Sequence, residues 1–599
     1  MLPLVMLLPP IVAIAGIAVL REQQYARYIA LAASLASLGL LFLVGYGEYQ
    51  MQWFQVGPYA LDITTLVTPV NMLLLTVIAL ITPLIVFYSF GFMDVESEQR
   101  RFYIEILAFT TAMLGFAMSG NFIMLFVCWE FLSLTSYLLI GFWHLRERAV
   151  KAARKALTVI FIGDIALLIA IVMFFSVFGT LDFSVIVANL GNTALSGSLY
   201  FAVIMLLIAI FTKSAQFPFQ EWLIDAMEGP TPVSAFLHST TMVKAGVFVT
   251  IMLLPLLSFA GVTQFVLIFA VLTAVIATLN ALKERHIKKV IAYSTIQELS
   301  LMLIAVSSSA LIAGVYFFFA QSFYKALLFF SAGSVMKATD KEDLHEVSGL
   351  GSDKLAVIST LFGVLSLAGF IPFDGFFANV GLGSSISNLY VYAIISAISL
   401  ITSMYIFRWF FYASTEARDG GVRLGYERLP RSMALCMAIL AASTLAASIF
   451  FTQISGFLKY SGYYDYASYG TPLPGLGSAL ASQGTLVFLA IIAAGAAISY
   501  MIYVRNVLKE KKDSFLSFVH TGRLFAFFYA IAARAACLLA DGAGAFDERV
   551  SEMFDTFGRM TMASGLGIRR ISVGNINLYM FIVMAGILVL LAYLYLLVG

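Results

Sequence analysis

Lys213 lies in the run Phe211-Thr212-Lys213-Ser214-Ala215-Gln216-Phe217-Pro218, and Lys325 in Gln321-Ser322-Phe323-Tyr324-Lys325-Ala326-Leu327-Leu328. A charge near the centre of a bilayer costs roughly 2.5–3.5 kcal/mol on insertion scales, so such residues mark ion or proton paths by default. Glu130, in Val127-Cys128-Trp129-Glu130-Phe131-Leu132, is a carboxylate in equally apolar surroundings. Burial disfavours the charged form of either group and an opposite charge restores it. A Glu130–Lys213 pair whose separation changes would therefore load and release a proton, and lysine suits that work. The competing reading is a static ion pair that fixes helix packing. His238 and Lys244, in Leu237-His238-Ser239-Thr240-Thr241-Met242-Val243-Lys244, read as one helix. Six residues apart is not one face, but both can flank a water chain along the axis. Histidine titrates near neutrality and is a natural relay, although a buried, satisfied ring is the alternative. Lys325 is the second-half counterpart of a central lysine. These five groups, Glu130, Lys213, His238, Lys244 and Lys325, are the candidate proton carriers.

A second set is placed by the helices that hold it. Pro218 removes a backbone donor and breaks its helix, and broken helices in membranes line ion or substrate paths. Residues 366–377, Ser366-Leu367-Ala368-Gly369-Phe370-Ile371-Pro372-Phe373-Asp374-Gly375-Phe376-Phe377, carry a matching Pro-Phe step. The two breaks are five spans apart. Five is odd, so two five-helix units would be inverted relative to each other, and corresponding broken helices point to a transport site. The same register sets Glu130 opposite Glu298. Asp164 follows Gly163 in the sixth span and can act on the basic cluster or on Lys213. Asp374 follows Pro372, where freed backbone groups and a carboxylate attract water. Lys337 lies near the end of the Lys325 helix, where snorkelling is the simpler role. Asp164, Glu298, Lys337 and Asp374 form the candidate second path. His144, His286, His345 and His520 fall in or near connections and receive no role.

Hydrophobic residues make up 61% of the chain and charged ones 11%, against about 25% charged in soluble domains. The class is an all-α polytopic membrane protein. Spans of about 20 apolar residues fall near 2–20, 25–46, 65–91, 103–120, 121–143, 154–178, 199–228 (broken), 233–256, 262–282, 288–308, 313–336, 355–384 (broken), 386–413, 434–455, 482–505 and 576–597. That is about sixteen transmembrane helices. They group into N-terminal helices (1–100), a first five-helix repeat (101–256), a second, inverted one (257–413), further spans (414–510), a lateral surface helix (511–570) and a C-terminal anchor (571–599). The start lacks a basic segment and a cleavage site, so it reads as the first span. A net charge of +2 gives no argument for nucleic acid. Cys128, Cys436 and Cys537 are scattered in apolar runs and suggest neither disulfides nor a metal site. No Gly-rich nucleotide motif or Cys/His cluster is present, so no redox chemistry is expected in this chain.

Basic residues set the orientation. The fifth connection carries Arg146, Arg148, Lys151, Arg154 and Lys155; the ninth carries Lys283, Arg285, Lys288 and Lys289; the thirteenth carries Arg418, Arg423, Arg428 and Arg431. Even connections offer Lys459. Odd connections are therefore expected in the cytoplasm and both termini outside, in the inner (cytoplasmic) membrane. Within 546–560, Phe546, Val550, Met553, Phe554 and Phe557 share one helical face. That is an amphipathic helix lying along the membrane. Residues 524–540 read as part of it, or as a short seventeenth span.

The runs Trp129-Glu130, Ser136-Tyr137-Leu138-Leu139-Ile140-Gly141-Phe142, Lys213-Ser214-Ala215-Gln216, Gly229-Pro230-Thr231-Pro232-Val233-Ser234-Ala235 and Tyr324-Lys325-Ala326-Leu327-Leu328-Phe329 resemble the antiporter-like subunits of respiratory complex I. Relatives occur in Mrp sodium/proton antiporters, membrane-bound hydrogenases and deazaflavin-dependent dehydrogenases. The resemblance covers about residues 60–410, and the extra C-terminal surface helix and last span are similar to subunit L, or subunit 5. It implies two inverted five-helix units, a coupling pair at Glu130 and Lys213, a central relay at Lys325, and a lateral helix strapping neighbouring antiporter-like subunits. Flavin, iron–sulfur clusters and quinone would belong to partner subunits, with none in this chain. Three positions depart from the family pattern: Gln321 and Lys337 stand where histidines are common, and Asn379 stands where subunit L has a lysine. Without that lysine the second half either uses Asp374 in its place or is impaired. The function implied is a proton-translocating, non-redox subunit of a complex I-like pump. The alternatives are a sodium/proton antiporter subunit, the membrane half of an inorganic-carbon uptake system, or a purely structural subunit.

Overall fold

A computed structural model describes residues 3–19, 22–56, 59–240, 242–347, 353–414, 429–459 and 482–505. The lateral helix, the seventeenth-span alternative at 524–540, the C-terminal anchor and His520 lie outside the described residues. So do Arg418, Arg423 and Arg428 of the thirteenth connection. The chain divides into two units, Met1–Gln50 with Ile63–Lys512, and Met51–Asp62 with Asp513–Gly599. Of the second unit, the described residues are part of a hairpin.

Helices α1 (Leu8–Val19) and α2 (Ala26–Leu41) precede a hairpin of β1 (Gly47–Val56) and β2 (Tyr59–Val67), which the sequence had not indicated. Then come α3 (Pro69–Phe92), α4 (Gln99–Ala117), α5 (Phe122–Ile140), α6 (Glu147–Phe178) and the short α7 (Phe183–Asn189). The first broken span is α8 (Gly197–Lys213) and α9 (Glu221–Asp225). The next is α10 (Thr231–Ser239) and α11 (Lys244–Met252), followed by α12 (Leu254–Phe259). The second half holds α13 (Thr263–Lys283), α14 (Ile287–Ser307), α15 (Leu311–Thr339), the broken pair α16 (Lys354–Ala368) and α17 (Asp374–Ser385), and α18 (Leu389–Ser414). Last are α19 (Arg431–Lys459) and α20 (Gln483–Tyr503). Among the described residues ten helices are long and apolar enough to cross a membrane, and shorter apolar helices accompany them. The chain is a multi-pass membrane protein.

Both expected breaks occur, and both fall in the fourth helix of a run of five: α8–α9 after α4, α5 and α6, and α16–α17 after α13, α14 and α15. One expectation needs correction. A span stands at Thr231–Met252, where one is expected at 233–256, but His238 and Lys244 do not share one helix. The structure interrupts it between Ser239 and Lys244, so the two residues stand on different helices. The matching fifth helix, α18, is continuous, and the two halves differ there.

Burial separates centre from rim. In their most apolar stretches α10–α11, α14 and α15 are 100%, 89% and 94% buried, whereas α20 is 22% buried. The central helices therefore meet other helices on every side, and the outer ones turn apolar side chains to lipid. Phe161, Ile165 and Ile169 of α6 are among the latter. In hydrocarbon each helix end must find partners for its free backbone groups. Thr68 and Asn71 form a reciprocal capping box at the start of α3. Asn121 accepts from Met124 N at the start of α5. Buried Arg408 donates to Leu282 O (2.6 Å), Ala281 O (3.1 Å) and Glu284 O (2.6 Å), closing the end of α13. Lys337 does the same for α3 through Gly91 O and Phe92 O, and pairs with Asp94.

Close packing of α6 on α8 depends on Gly163. A Cβ there would overlap the Thr212 side chain and lie 3.3 Å from Ala209 Cα. Gly163→Ala is expected to destabilise the detergent-solubilised protein by about 1–3 kcal/mol through overpacking. Gly39→Ala on α2, where nothing lies within 4 Å, is expected to be neutral or stabilising by up to about 1 kcal/mol. Thermal midpoints of the two variants in one detergent check the contrast.

Candidate functional site

At the first break, α8 ends on Lys213, and Pro218 has no N–H to continue a helix. The freed backbone groups are taken up locally. Gln216 N donates to Phe211 O (2.8 Å), Trp222 Nε1 to Thr212 O (2.9 Å), and Phe217 N to Thr273 Oγ1 (3.0 Å). Gln216 Nε2 donates to Ser214 O (2.8 Å), while its Oε1 accepts from Ser300 Oγ of α14 (2.9 Å). Ser214 Oγ donates to Val243 O (2.9 Å), beside Lys244. Two small polar side chains thus tie the first break to the α10–α11 interruption and to the second half.

Lys213 is wholly buried. Its Nζ donates to Ser133 Oγ (2.7 Å) and Trp129 O (3.2 Å), lies 3.7 Å from Asp164 Oδ1, and stands 4.5 Å from the Trp129 ring centroid. Asp164 accepts from Trp129 Nε1 (2.6 Å) and from Ser133 Oγ (2.9 Å). The Ser133 hydroxyl, accepting from the ammonium and donating to the carboxylate, is a one-atom bridge between them. This corrects the expected pairing. The carboxylate in contact with Lys213 is Asp164; Glu130 is half-buried one turn away and acts on both charges through space.

Lys244 opens α11, also wholly buried. Its Nζ donates to Phe318 O (2.6 Å) and to Ser322 Oγ of α15, and lies 4.7 Å from the Phe318 ring centroid. The His238 ring lies 4.8 Å from that of Phe329, tilted by 43°, and neither ring nitrogen has a hydrogen-bond partner among the described residues. Lys325 Nζ lies 3.0 Å from Glu298 Oε2 and donates to Ser294 Oγ. Tyr324 OH donates to Glu298 Oε1 (3.0 Å). The two halves therefore share one chemical unit, a buried lysine, a buried carboxylate and a serine hydroxyl. The lysine of that unit is on the broken helix in the first half and on the third helix in the second.

Sequence reasoning missed three participants. Ser133 lies one turn after Glu130, and Ser294 lies one turn before Glu298; a hydroxyl at such spacing from a lone carboxylate is the signal that was available. Lys288 was counted among the basic residues of a connection, yet it is buried in the first turn of α14, with Nζ on Gly229 O (2.8 Å). Lys337, capping α3, stands apart from these buried pairs. Asp374 is wholly buried at the second break, accepting from Ser366 Oγ and Gly375 N.

Paired helical sets with matching breaks and buried lysine–carboxylate pairs define a class of polytopic membrane protein with charged groups in its core. The family profile described as "NADH:quinone oxidoreductase/Mrp antiporter, TM" matches residues 119–405, and that of the complex I chain 5 N-terminus matches residues 53–103. The chain belongs to this family of antiporter-like membrane subunits. It is 32% identical over 433 residues to NAD(P)H-quinone oxidoreductase chain 5 of Synechocystis sp., covering 67% of this chain and 63% of that protein. It is 36% identical over 397 residues to NADH-ubiquinone oxidoreductase chain 5 of Acanthamoeba castellanii, covering 63% and 59%. Each match spans less than two thirds of the relative's length. The fold is similar to that in the Mrp complex from Dietzia sp. DQ12-45-1b, with TM-score 0.69 and 20% identity over 95% of this chain and 63% of that one.

Beyond the spans, the 283–287 and 340–347 connections are joined. Ile287 N donates to Glu342 O (2.9 Å) and Leu344 N to Arg285 O (2.8 Å). His286 Nε2 lies 3.4 Å from Glu342 Oε2. Chiefly through that hydrogen bond, the Glu342 carboxyl is held down to about 2, from an ordinary value of 4.5. A depressed carboxyl stabilises the fold fully above its unfolded value, and the contribution is lost as pH falls through the folded one. Glu342→Gln is expected to lower the thermal midpoint near neutrality and to flatten its fall between pH 4.5 and about 2. A pH series of melting curves on both proteins checks this.

Proposed function

We propose that this chain is the proton-translocating, non-redox membrane subunit of a complex I-like redox-driven pump. The observation that carries the reading is the pair of buried lysine–carboxylate contacts, Asp164–Lys213 and Glu298–Lys325, with Lys244 between them. In the first a serine hydroxyl bridges the two groups, and in the second the lysine and carboxylate meet directly. When Lys213 and Asp164 separate, each becomes a costly buried charge, and a proton transfer that neutralises them lowers that cost. Glu130, placed to act on both, biases the pair according to its own charge. The proton then passes inward along Lys244 and His238 to Lys325 and Glu298. The two sets of five helices are the inverted repeats in which these steps occur.

The chain 5 relatives support a partner set of further membrane subunits. Flavin, iron–sulfur clusters and quinone belong to those partners, and residues 511–570 strap neighbouring antiporter-like subunits. The basic connections face the cytoplasm, with the termini outside.

The test separates transport from packing. Lys213→Ala leaves Asp164 buried and unpaired and is expected to cost roughly 3–5 kcal/mol of stability. Adding Asp164→Asn removes the stranded charge and should recover most of that stability. Proton uptake by inverted membrane vesicles driven by the respiratory substrate should be absent in both. A double variant that translocates protons like the wild type would sink the proposal. Sodium-dependent proton movement without any redox substrate would replace it with ion exchange.

A further inference from the structure

α14 carries Glu298 and α15 carries Lys325, and one clasp joins the start of the first helix to the chain leaving the second. The two stretches run antiparallel there, with His286 paired to Asp343. Two backbone bonds close the clasp, Ile287 N to Glu342 O (2.9 Å) and Leu344 N to Arg285 O (2.8 Å). Glu284 steadies its entry, Oε1 accepting from Arg285 N (2.8 Å) and His286 N (2.9 Å). Lys288 Nζ, on Gly229 O, then ties the first turn of α14 to the chain before α10.

The His286 ring reaches from the helix to the clasp. Nδ1 accepts from Lys288 N (3.2 Å), which makes His286 the N-cap of α14. Nε2 lies 3.4 Å from Glu342 Oε2. A ring nitrogen that accepts carries no proton, so the ring in this arrangement is neutral, with its proton on Nε2 and aimed at Glu342. A second proton has to sit on Nδ1, where it meets the Lys288 N–H donor against donor. That N–H then loses its acceptor, and a positive charge stands at the positive end of the α14 dipole. The same proton strengthens the attraction to Glu342. One protonation therefore exchanges a helix cap for an ion pair and draws the ring from α14 toward the chain leaving α15. The ring is half-buried, so water can supply the proton. The charged groups around it come from four stretches. Glu342, Asp343 and the Lys341–Glu346 ion pair lie on the connection after α15. Glu284, Arg285, Lys288 and Lys289 lie on its own connection, Arg146 between α5 and α6, and Glu228 before α10. His345, also on the connection after α15, lies against the Tyr412 ring of α18 at 4.8 Å.

We propose that His286 is a pH-set positioning residue for the Glu298–Lys325 pair: neutral, it caps α14 and holds the pair in register; protonated, it leaves the cap for Glu342 and lets α14 shift against α15. This rests on the proton-translocation reading. Glu298 lies further along the helix that His286 caps, about 15 Å beyond Lys288 at the rise of an α-helix. Its contact with Lys325 is 3.0 Å, so a small axial shift of α14 breaks it. The proton on His286 is regulatory. It binds and leaves on the face that bears the clasp and is not among those carried across. Histidine side chains change charge between about pH 5 and 8, and acidification of that face over this range slows the pump.

The test pairs hydrogen–deuterium exchange of the purified complex with substrate-driven proton uptake by inverted membrane vesicles, both between about pH 5 and 8. After correction for the intrinsic pH dependence of exchange, protection of the first turn of α14 is expected to fall about fivefold on acidification, the factor that one N-cap carries. Proton uptake should fall with it. His286→Asn keeps an acceptor for Lys288 N but cannot titrate. Its exchange step should vanish, and its uptake should hold the neutral-pH rate further into acid. Glu342→Gln removes the partner of the charged ring and should move the wild-type step to lower pH. A wild-type protein without the exchange step overturns the proposal. So does a step that persists in His286→Asn, or an uptake profile that is the same in wild type and His286→Asn. Should His286→Asn fail to assemble, the displacement of the step by Glu342→Gln decides the matter, and an undisplaced step overturns the proposal. If wild-type membranes take up no protons at any pH, the transport reading fails, while an exchange step abolished by His286→Asn still supports the switch.

Discussion

Lys213 can stay in the middle of the helix bundle only because Ser133, the Trp129 carbonyl and ring, and Asp164 replace the water it gave up. The surrounding architecture follows from that replacement. α8 must stop where the ammonium meets α5 and α6, so the chain unwinds at once. The unwound backbone must then find partners in hydrocarbon, which offers none. Trp222, Thr273 and Gln216 supply them. Gly163 and Gly246 let α6, α8 and α11 approach closely enough for those contacts to close, since a Cβ at Gly246 would run into Ser214 and Ile210.

The same constraint gives the two halves a common chemistry with different placements. Each buries one lysine against one carboxylate and one serine. Removing either partner strands the other, so a buried pair is poor evidence for stability but a sensitive switch. The polar ties at Gln216–Ser300 and Ser214–Val243 mean that a movement at the first break is felt at α14, which carries Glu298, and at the turn that holds Lys244. Lys244 has backbone and hydroxyl oxygens for partners rather than a carboxylate of its own, which suits a group that passes charge between two pairs.

Much of this was legible in the residues. Long apolar runs fixed most spans to within a few residues. The Pro-Phe steps located both breaks, because proline removes a backbone donor, although α3 runs on through Pro83. Lys213, Lys325 and Glu298 stood out because charge in such runs is costly. What failed did so for a physical reason. The choice of Glu130 over Asp164 as the partner of Lys213 depends on which face of α6 turns inward, and one carboxylate in a long apolar helix does not reveal that. The interruption after Ser239 has no proline within it; it is held by tertiary bonds such as Ser214 Oγ to Val243 O. Lys288 looked like a surface cation because it neighbours Lys289, whereas the bond to Gly229 O takes it inside. The hairpin at Gly47–Val67 lacks the length and apolarity on which the span count relied.

The central claim is that the buried carboxylates change protonation as the protein works. Infrared difference spectroscopy of the complex in its membrane, resting against turning over, reads protonated carboxyl C=O bands directly. The account requires carboxyl bands that appear and disappear with turnover, with one component lost in Glu298→Gln and a separate one lost in Asp164→Asn. A turning-over complex whose carboxyl region is unchanged, or whose bands are the same in both variants, would contradict it.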